Sequence, residues 1–331
     1  MKLSGAKTTT IKDIRLENAR LWLQEQGADL QSEFQKVAGD ASFRRYFRIQ
    51  VGTESRILMD AAPPGEDIRP FIDIDQRLIA AGLHAPEIFY SDRNNGYLLL
   101  EDFGDTLYRD LLNESNADSL FPALFDVLKT LALEADTTDL PEFDYRKLRR
   151  DMDLFPGWYL GHHRKLAEQS RIDEAWEDFC NRIIQSAQEQ PHCFVHRDFH
   201  SCNLLETSGN LVGIIDFQDA VKGPVSYDFI SLIWDRYISW PRHKLENWME
   251  EIRRQLGLDI EPVQWQRYCD LMGLQRNFKI VGIFARLHYR DHKTGYLELI
   301  PRFYEYLTGT LRVYPEFKDI LDILELAECE R

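Results

Sequence analysis

One stretch constrains this chain more than any other. His196-Arg197-Asp198-Phe199-His200-Ser201-Cys202-Asn203 reads H-x-D-x-x-x-x-N, and Gly213-Ile214-Ile215-Asp216-Phe217 follows it. Together they supply one carboxylate for a hydroxyl proton and two oxygen ligands for Mg²⁺, which is what phosphoryl transfer from ATP asks of a protein. Asp198 must reach the acceptor hydroxyl, while Asn203 and Asp216 must converge from separate segments on the metal. Mg²⁺ takes carboxylate and amide oxygens and leaves its other positions to phosphate and water. The flanks suit such a loop. Cys193-Phe194-Val195 reads as a short buried strand, and Leu204-Leu205, Thr207 to Asn210 and Leu211 to Ile215 read as a hairpin that delivers Asp216. A lone His, Asp or Asn here would read as a turn cap. The full set between apolar strands reads as a phosphoryl-transfer site.

A chain of 331 residues exceeds the usual single domain, so two lobes are expected. With 44% hydrophobic and 12% aromatic residues it can bury a sizeable core. The formal charge of -15 argues against nucleic-acid or anionic-membrane partners, which require a basic field. Cationic groups for ATP must therefore be gathered locally. The five cysteines, Cys180, Cys193, Cys202, Cys269 and Cys329, contain no C-x-x-C pair, so neither a disulfide framework nor a zinc site is indicated. Met1 to Asp13 lacks the apolar core of a signal peptide, and the expected location is cytoplasmic. Nothing in the sequence calls for an obligate protein partner.

Periodicity predicts a leading helix over Ile11 to Gln26, with Ile11, Ile14, Leu21 and Trp22 on one face and Gly27 as its stop. Strands are expected at Phe34 to Val37, Phe43 to Ile49 and Arg56 to Asp60, with Gly39-Asp40-Ala41-Ser42 as the first turn. That turn, with Ser42, is either a phosphate cradle or an ordinary hairpin. A helix over Ile68 to Ala81 and strands at Glu87 to Tyr90 and Gly96 to Leu100 complete a nucleotide-binding lobe, residues 1–103. The peptide groups of Glu101, Asp102 and Phe103 would face an adenine edge.

Residues 104–331 read as a larger, mainly helical catalytic and substrate lobe. Helices are expected at Leu107 to Leu112, Ser119 to Ala135, Tyr145 to Leu160, Ala167 to Glu189, Phe229 to Tyr237, His243 to Leu256, Pro262 to Leu287 and Leu297 to Leu311. The fold class is thus α+β, a small β-rich lobe followed by a helical one.

With these residues in view, the chain resembles the aminoglycoside phosphotransferase and choline kinase branch of the protein-kinase-like fold. The likeness rests on His196-x-Asp198-x-His200-x-x-Asn203, Ile215-Asp216-Phe217, Gly223-Pro224-x-x-Tyr227-Asp228 and Leu99-Leu100-Glu101-Asp102. A closer likeness, to bacterial kinases of the anomeric C1 hydroxyl of N-acetylmuramate and N-acetylglucosamine, rests on Gly39-Asp40-Ala41-Ser42-x-Arg44-Arg45-Tyr46, Leu58-Met59-Asp60-Ala61-x-Pro63, Asp216-Phe217-Gln218-Asp219-Ala220 and Gly282-Ile283-Phe284-Ala285-Arg286-Leu287. The resemblance implies that Asp198 orients and deprotonates the sugar hydroxyl. It implies that Asn203 and Asp216 hold Mg²⁺, that His200 neutralises charge on the transferring phosphate, and that His196 and Asp228 brace the loop. Absence of an A-P-E segment after Asp216 argues against a protein substrate.

The chain departs from the wider pattern at one place. The third strand reads Leu58-Met59-Asp60 where a phosphate-pairing lysine is expected. Either Arg44 or Arg45, with Arg48, supplies the cation, or the protein is a weakened kinase or a non-catalytic nucleotide-binding regulator. Strand alternation lets only one of Arg44 and Arg45 face the nucleotide. For the small-molecule sugar, Asp153, Tyr159, Asp219 and Asp235 are candidate contacts, and Arg276, Lys279, Arg286 and Arg290 are candidate cations for the lactyl carboxylate of N-acetylmuramate. Another small alcohol, an aminoglycoside or an amino alcohol, is the alternative acceptor.

Overall fold

The computed structural model describes residues 13–37, 44–166, 169–235 and 237–329. The chain divides into two compact units, the described part of Met1–Asp73 with Pro86–Gly104, and Ile74–Ala85 with the described part of Asp105–Arg331.

The first unit begins with helix α1, Ile14–Glu25, capped by the Asp13 side chain, which accepts from the N–H groups of Arg15 and Leu16. Strands β1, Gln35–Val37, β2, Arg45–Val51, and β3, Glu54–Asp60, follow, then helix α2, Arg69–Ala80, which belongs to this unit only up to Asp73, and strands β4, Ile88–Asp92, and β5, Tyr97–Glu101. The strands form one antiparallel sheet in the order β1-β2-β3-β5-β4, with Phe47 opposite Leu58 and Leu58 opposite Leu99. That register puts Phe47, Ile49, Leu58, Tyr97 and Leu99 on one face, where they pack with Ala19, Trp22, Leu23 and Ala28. Trp22 stacks on Tyr97 at 5.6 Å. Of the expected stripe Trp22 does turn inward, joined by Ala19 and Leu23. Ile14 and Leu21 are exposed, and Ile11 lies outside the described residues.

Helix α2 carries a carboxylate on its apolar stripe. Phe71, Asp75 and Leu78 lie at i, i+4 and i+7, and all three are buried. Burial alone pushes the Asp75 carboxyl up to about 7. A carboxyl that binds its proton more tightly folded than unfolded favours the native state at low pH, and that advantage is lost as pH rises from about 4 to about 7. We expect wild type to lose about 4 kcal/mol relative to Asp75→Asn over that interval, from the product of the shift and about 1.4 kcal/mol per unit, with roughly 2–3 kcal/mol of it falling between pH 5 and pH 8. Urea unfolding of both proteins at pH 5 and pH 8 checks this. Parallel changes in the two would exclude Asp75 as the titrating group.

The second unit is mostly helical. Its elements are α3, Tyr108–Leu111, α4, Ala117–Leu133, α5, Tyr145–Met152, a π-helical segment, Phe155–Arg164, α6, Gln169–Gln188, β6, His192–Val195, β7, Leu204–Glu206, β8, Val212–Ile214, β9, Val221–Pro224, α7, Ser226–Ile233, α8, Arg242–Gln255, α9, Pro262–Tyr289, α10, Ile300–Leu311, and α11, Lys318–Cys329. β6 pairs with β9 and β7 with β8, both antiparallel. α9 packs against α5, α6, α7, α8, α10 and the π-helical segment, so it is buried on nearly every side.

The expected continuous helix from Tyr145 to Leu160 is broken in two. α5 ends at Met152, and Pro156, which has no N–H for the α ladder, opens the wider π turns. At Gly282 a Cβ would lie 2.4 Å from the backbone carbon of Leu154, so the glycine is what lets α9 approach this segment. α7 also starts and stops earlier than expected. Its Asp228 lies in the first turn, and Trp234 leaves the helical conformation. Among the described residues no helix is long and apolar enough to cross a membrane.

Candidate active site

The loop between β6 and β7 is held by bonds to its own backbone. Fully buried His196 donates from Nε2 to the Ile215 carbonyl (3.1 Å), and its Nδ1 accepts from the Asp198 N–H (3.3 Å). Those two partners fix the tautomer. The Asp228 carboxylate accepts from the N–H groups of His196 and of Arg197, the latter at 2.9 Å. Arg276 Nη1 donates to the Arg197 carbonyl (3.0 Å), with its guanidinium 4.7 Å from the centre of the Tyr227 ring. Arg197 is thus pinned on both sides of its α-carbon, at φ +77°, a conformation most side chains avoid. That kink comes immediately before Asp198. Burial pushes the Asp228 carboxyl up, while His196, Arg276 and the two N–H groups pull it back.

Asn203 and Asp216 come together at the other end of the loop. The Asn203 amide donates to the Asp198 carbonyl (2.9 Å) and to Asp216 Oδ2 (3.4 Å), and Gln218 Nε2 donates to Asp216 Oδ1 (3.0 Å). Asp216 also has positive φ, +65°. With its NH₂ so occupied, Asn203 has its carbonyl oxygen left for a cation. One amide and one carboxylate oxygen fit a hard divalent ion that draws its other ligands from phosphate and water. Among the described residues no three His, Cys, Asp or Glu side chains cluster for a metal, which agrees with such a sparse protein donor set. The His200 N–H donates to the Asp198 carbonyl (3.0 Å), and the His200 side chain is buried.

Two of the sugar candidates prove to be structural. Tyr159 is 1% exposed and stacks on Phe155 at 5.3 Å, so its ring has no face for a ligand. Asp235 accepts from Ser201 N–H and Oγ (3.1 and 2.6 Å) and from the Tyr237 N–H (2.7 Å), which makes it a second brace of the catalytic loop. Asp153 caps the C-terminus of α5 and accepts from Arg149 (2.8 Å) and Trp176 (3.1 Å). Asp219 is exposed, and its charge acts on Arg197. The sequence reading overlooked Asp151. Its Oδ2 lies 3.5 Å from Arg197 Nη2 and 3.4 Å from Lys279 Nζ, a meeting that only the packing of α5 on α9 produces.

The nucleotide candidates lie in the first unit. Ser42 and the Gly39 turn are outside the described residues. Arg45 shares the α1 face of the sheet, where it pairs with Asp13 and with Asp60, itself 1% exposed and also bonded by Arg15. These carboxylates hold the Arg45 charge firmly and commit it to the lobe's own packing. Arg44 pairs instead with Glu66 (3.1 Å), and both side chains are mostly buried. Glu66 lies in the loop that precedes α2. Asp102 accepts two bonds from Arg48 (2.6 and 2.9 Å) and one from Ser55, so its side chain serves the lobe itself. The Glu101 N–H donates to the Glu87 carbonyl (2.9 Å), which removes that donor from any adenine contact, and half-buried Phe103 follows.

Comparison with known proteins agrees with this geometry. A model described as the phosphotransferase enzyme family matches residues 33–268. The chain is 38% identical over 327 residues to the N-acetylmuramate/N-acetylglucosamine kinase of Pseudomonas putida, covering 94% of this chain and 96% of that one. It is 40% identical over 298 residues to the enzyme of the same name from Pseudomonas aeruginosa, covering 88% of each. Among solved structures, a choline kinase of Streptococcus pneumoniae matches with a TM-score of 0.64 at 12% identity, over 88% of this chain and 99% of that one, a likeness that speaks for the kinase-like fold. With a family model spanning most of its length and relatives aligned nearly end to end, the chain belongs to the phosphotransferase enzyme family.

Proposed function

We propose that the protein is an ATP- and Mg²⁺-dependent kinase that phosphorylates the anomeric hydroxyl of N-acetylmuramate and N-acetylglucosamine. The observation that carries the reading is the pinned loop, in which one side-chain amide ties the Asp198 backbone to the Asp216 carboxylate. Relatives named for these two sugars, matched along almost their whole length, support the choice of acceptor. The metal would sit on the oxygens of Asn203 and Asp216 and neutralise phosphate charge. Asp198 orients the hydroxyl and takes its proton. His200, from the same loop, would offer a hydrogen bond to the transferring group. An anomeric hydroxyl is more acidic than an ordinary alcohol, so positioning outweighs basicity in this role, as expected for a loose transition state. The peptide groups from Glu101 to Phe103, other than the Glu101 N–H, would receive the adenine.

The missing strand lysine favours replacement over loss of activity, because Arg44 and Glu66 already form a cation–carboxylate pair. A guanidinium fork suits phosphate oxygens. Arg44→Ala is expected to raise the KM for ATP at least tenfold. Arg45→Ala should leave that KM near wild type and lower the melting temperature, because buried Asp60 loses a partner. If neither variant raises the KM, Arg44 does not replace the lysine.

Incubating purified protein with Mg-ATP and each sugar tests the function itself. ADP release with formation of an acid-labile glycosyl phosphate is expected. A phosphate on C6, or no turnover of either sugar, would overturn the reading.

A further inference from the structure

Beside Asp198 the second unit gathers three cationic side chains whose pairing with carboxylates is loose. Lys279 and Arg286 lie two turns apart on one face of α9, with Gly282 between them in sequence, and Arg197 comes from the catalytic loop. All three act on one carboxylate, Asp151. Its pairings are loose, because Arg197 Nη2 at 3.5 Å and Lys279 Nζ at 3.4 Å share the same oxygen, Oδ2. The other contact of Lys279 is with the Tyr227 hydroxyl, at 3.3 Å. Nε of Arg197 and Nε of Arg286 are both buried with no hydrogen-bond partner, and Arg286 makes no ion pair among the described residues. Buried guanidinium donors left unpaired are costly unless something completes them.

The charges also report their neighbours. Burial disfavours the Lys279 ammonium, yet Tyr227, Asp151 and Asp198 outweigh it and hold the group charged. Arg286, by contrast, is disfavoured first by burial and then by Arg290, which Asp291 and Asp151 only partly offset. The carboxylates that act on these cations are Asp151, Asp198, exposed Asp219, which acts on Arg197, and Asp291, which is itself paired with Arg290; the work of Asp198 is on the acceptor hydroxyl. The unpartnered Nε groups of Arg197 and Arg286 leave donors for an anion.

We propose that Lys279, Arg286 and Arg197, arranged around Asp151, form a subsite for a carboxylate carried by the acceptor, and that this subsite sets the preference between N-acetylmuramate, which bears a lactyl carboxylate, and N-acetylglucosamine, which does not. The inference rests on the amino-sugar kinase reading above. Arg276 is excluded from the subsite because it is committed to the Arg197 carbonyl and the Tyr227 ring. Asp151 keeps the cations together when no acid is bound and prevents the pocket from trapping stray anions tightly. Loss of a charge-assisted contact to a carboxylate typically changes affinity by tenfold to a hundredfold.

Steady-state kinetics with both sugars on Lys279→Met, Arg286→Gln and Asp151→Asn tests the proposal. The first two variants should lower the ratio of kcat/KM for N-acetylmuramate over N-acetylglucosamine at least tenfold. Asp151→Asn should move the ratio the other way, because it frees the cations for the acid. That opposite displacement is a result that mere loss of packing does not produce. An unchanged ratio in Lys279→Met and Arg286→Gln, with both sugars slowed equally, would assign the cluster to structure and overturn the proposal. Wild-type protein that phosphorylates neither sugar would instead sink the amino-sugar reading, and this inference with it.

Discussion

Asp198→Asn is expected to lower turnover by on the order of 10³-fold, within the range that a positioned general base contributes, and to change ATP affinity less than twofold. The substitution is informative because the loop is also held through the backbone of residue 198. The backbone of residue 198 accepts from Asn203 and donates to His196, and an asparagine keeps both bonds. The kink at Arg197 is held by Asp228 and Arg276 through the Arg197 N–H and carbonyl. The variant therefore removes a proton acceptor and a charge while leaving loop and metal oxygens in place. Single-turnover kinetics with saturating Mg-ATP, beside a nucleotide titration, separates the two quantities. Turnover equal to wild type would mean that Asp198 neither aims nor deprotonates the hydroxyl. A parallel loss of ATP affinity would mean that the substitution has disturbed the loop.

The part of the site that sequence made legible is the part whose spacing is local. Asp198, Asn203 and Asp216 lie in one loop and the hairpin after it, so the distances between them follow from turn and strand geometry. Arg44 and Arg45 were legible only as alternatives. Alternation says they point opposite ways, but which face is covered depends on the stripe by which α1 docks, and Ala19, Trp22 and Leu23 are its contacts instead of Ile14 and Leu21. Tyr159 and Asp235 have residue types that suit a sugar. Only the packing shows that a ring stack and two backbone amides have claimed them. Asp151 carried no local signal, since its partners come from α9 and the catalytic loop.

Other features were readable and overlooked. Ile320, Ile323, Leu324 and Ala327 follow the i, i+3, i+4, i+7 pattern of α11 and are all buried. Pro156, Gly157 and Gly161 warned against a continuous α-helix through the π-helical segment. Glu66 carries no local signal, because it follows Pro63-Pro64-Gly65 in a loop and meets Arg44 only in the folded lobe. The core is thus written in periodicity, whereas the supports of the site are written in contacts between distant elements.

Asp228→Ala is expected to lower stability by about 2–5 kcal/mol, because two buried N–H groups lose their acceptor at about 1–3 kcal/mol each. His196 is fully buried and Asp228 is 4% exposed, so water replaces the lost carboxylate poorly. Two effects oppose each other. Burial alone makes an ionised Asp228 unfavourable, which limits the loss, whereas Arg276 and the N–H groups of His196 and Arg197 all depend on its charge, which increases it. The orphaned donors decide the sign, since removing one side of a satisfied buried cluster costs more than the cluster gains as a whole. Catalysis should suffer separately. Arg197 holds φ +77° only while its N–H and carbonyl are both engaged, and a strained residue released from one anchor relaxes. Because Asp198 is next in the chain, we expect kcat to fall about 10–100-fold while the KM for ATP stays near wild type. Asp228→Asn should fall between, as it keeps one acceptor oxygen and turns an NH₂ toward a donor. Denaturant unfolding together with the kcat and KM of both variants checks the order. A stable Asp228→Ala protein with normal kcat would show that the positive-φ kink needs no carboxylate to persist, and the loop's geometry would then have to reside in His196 and Arg276.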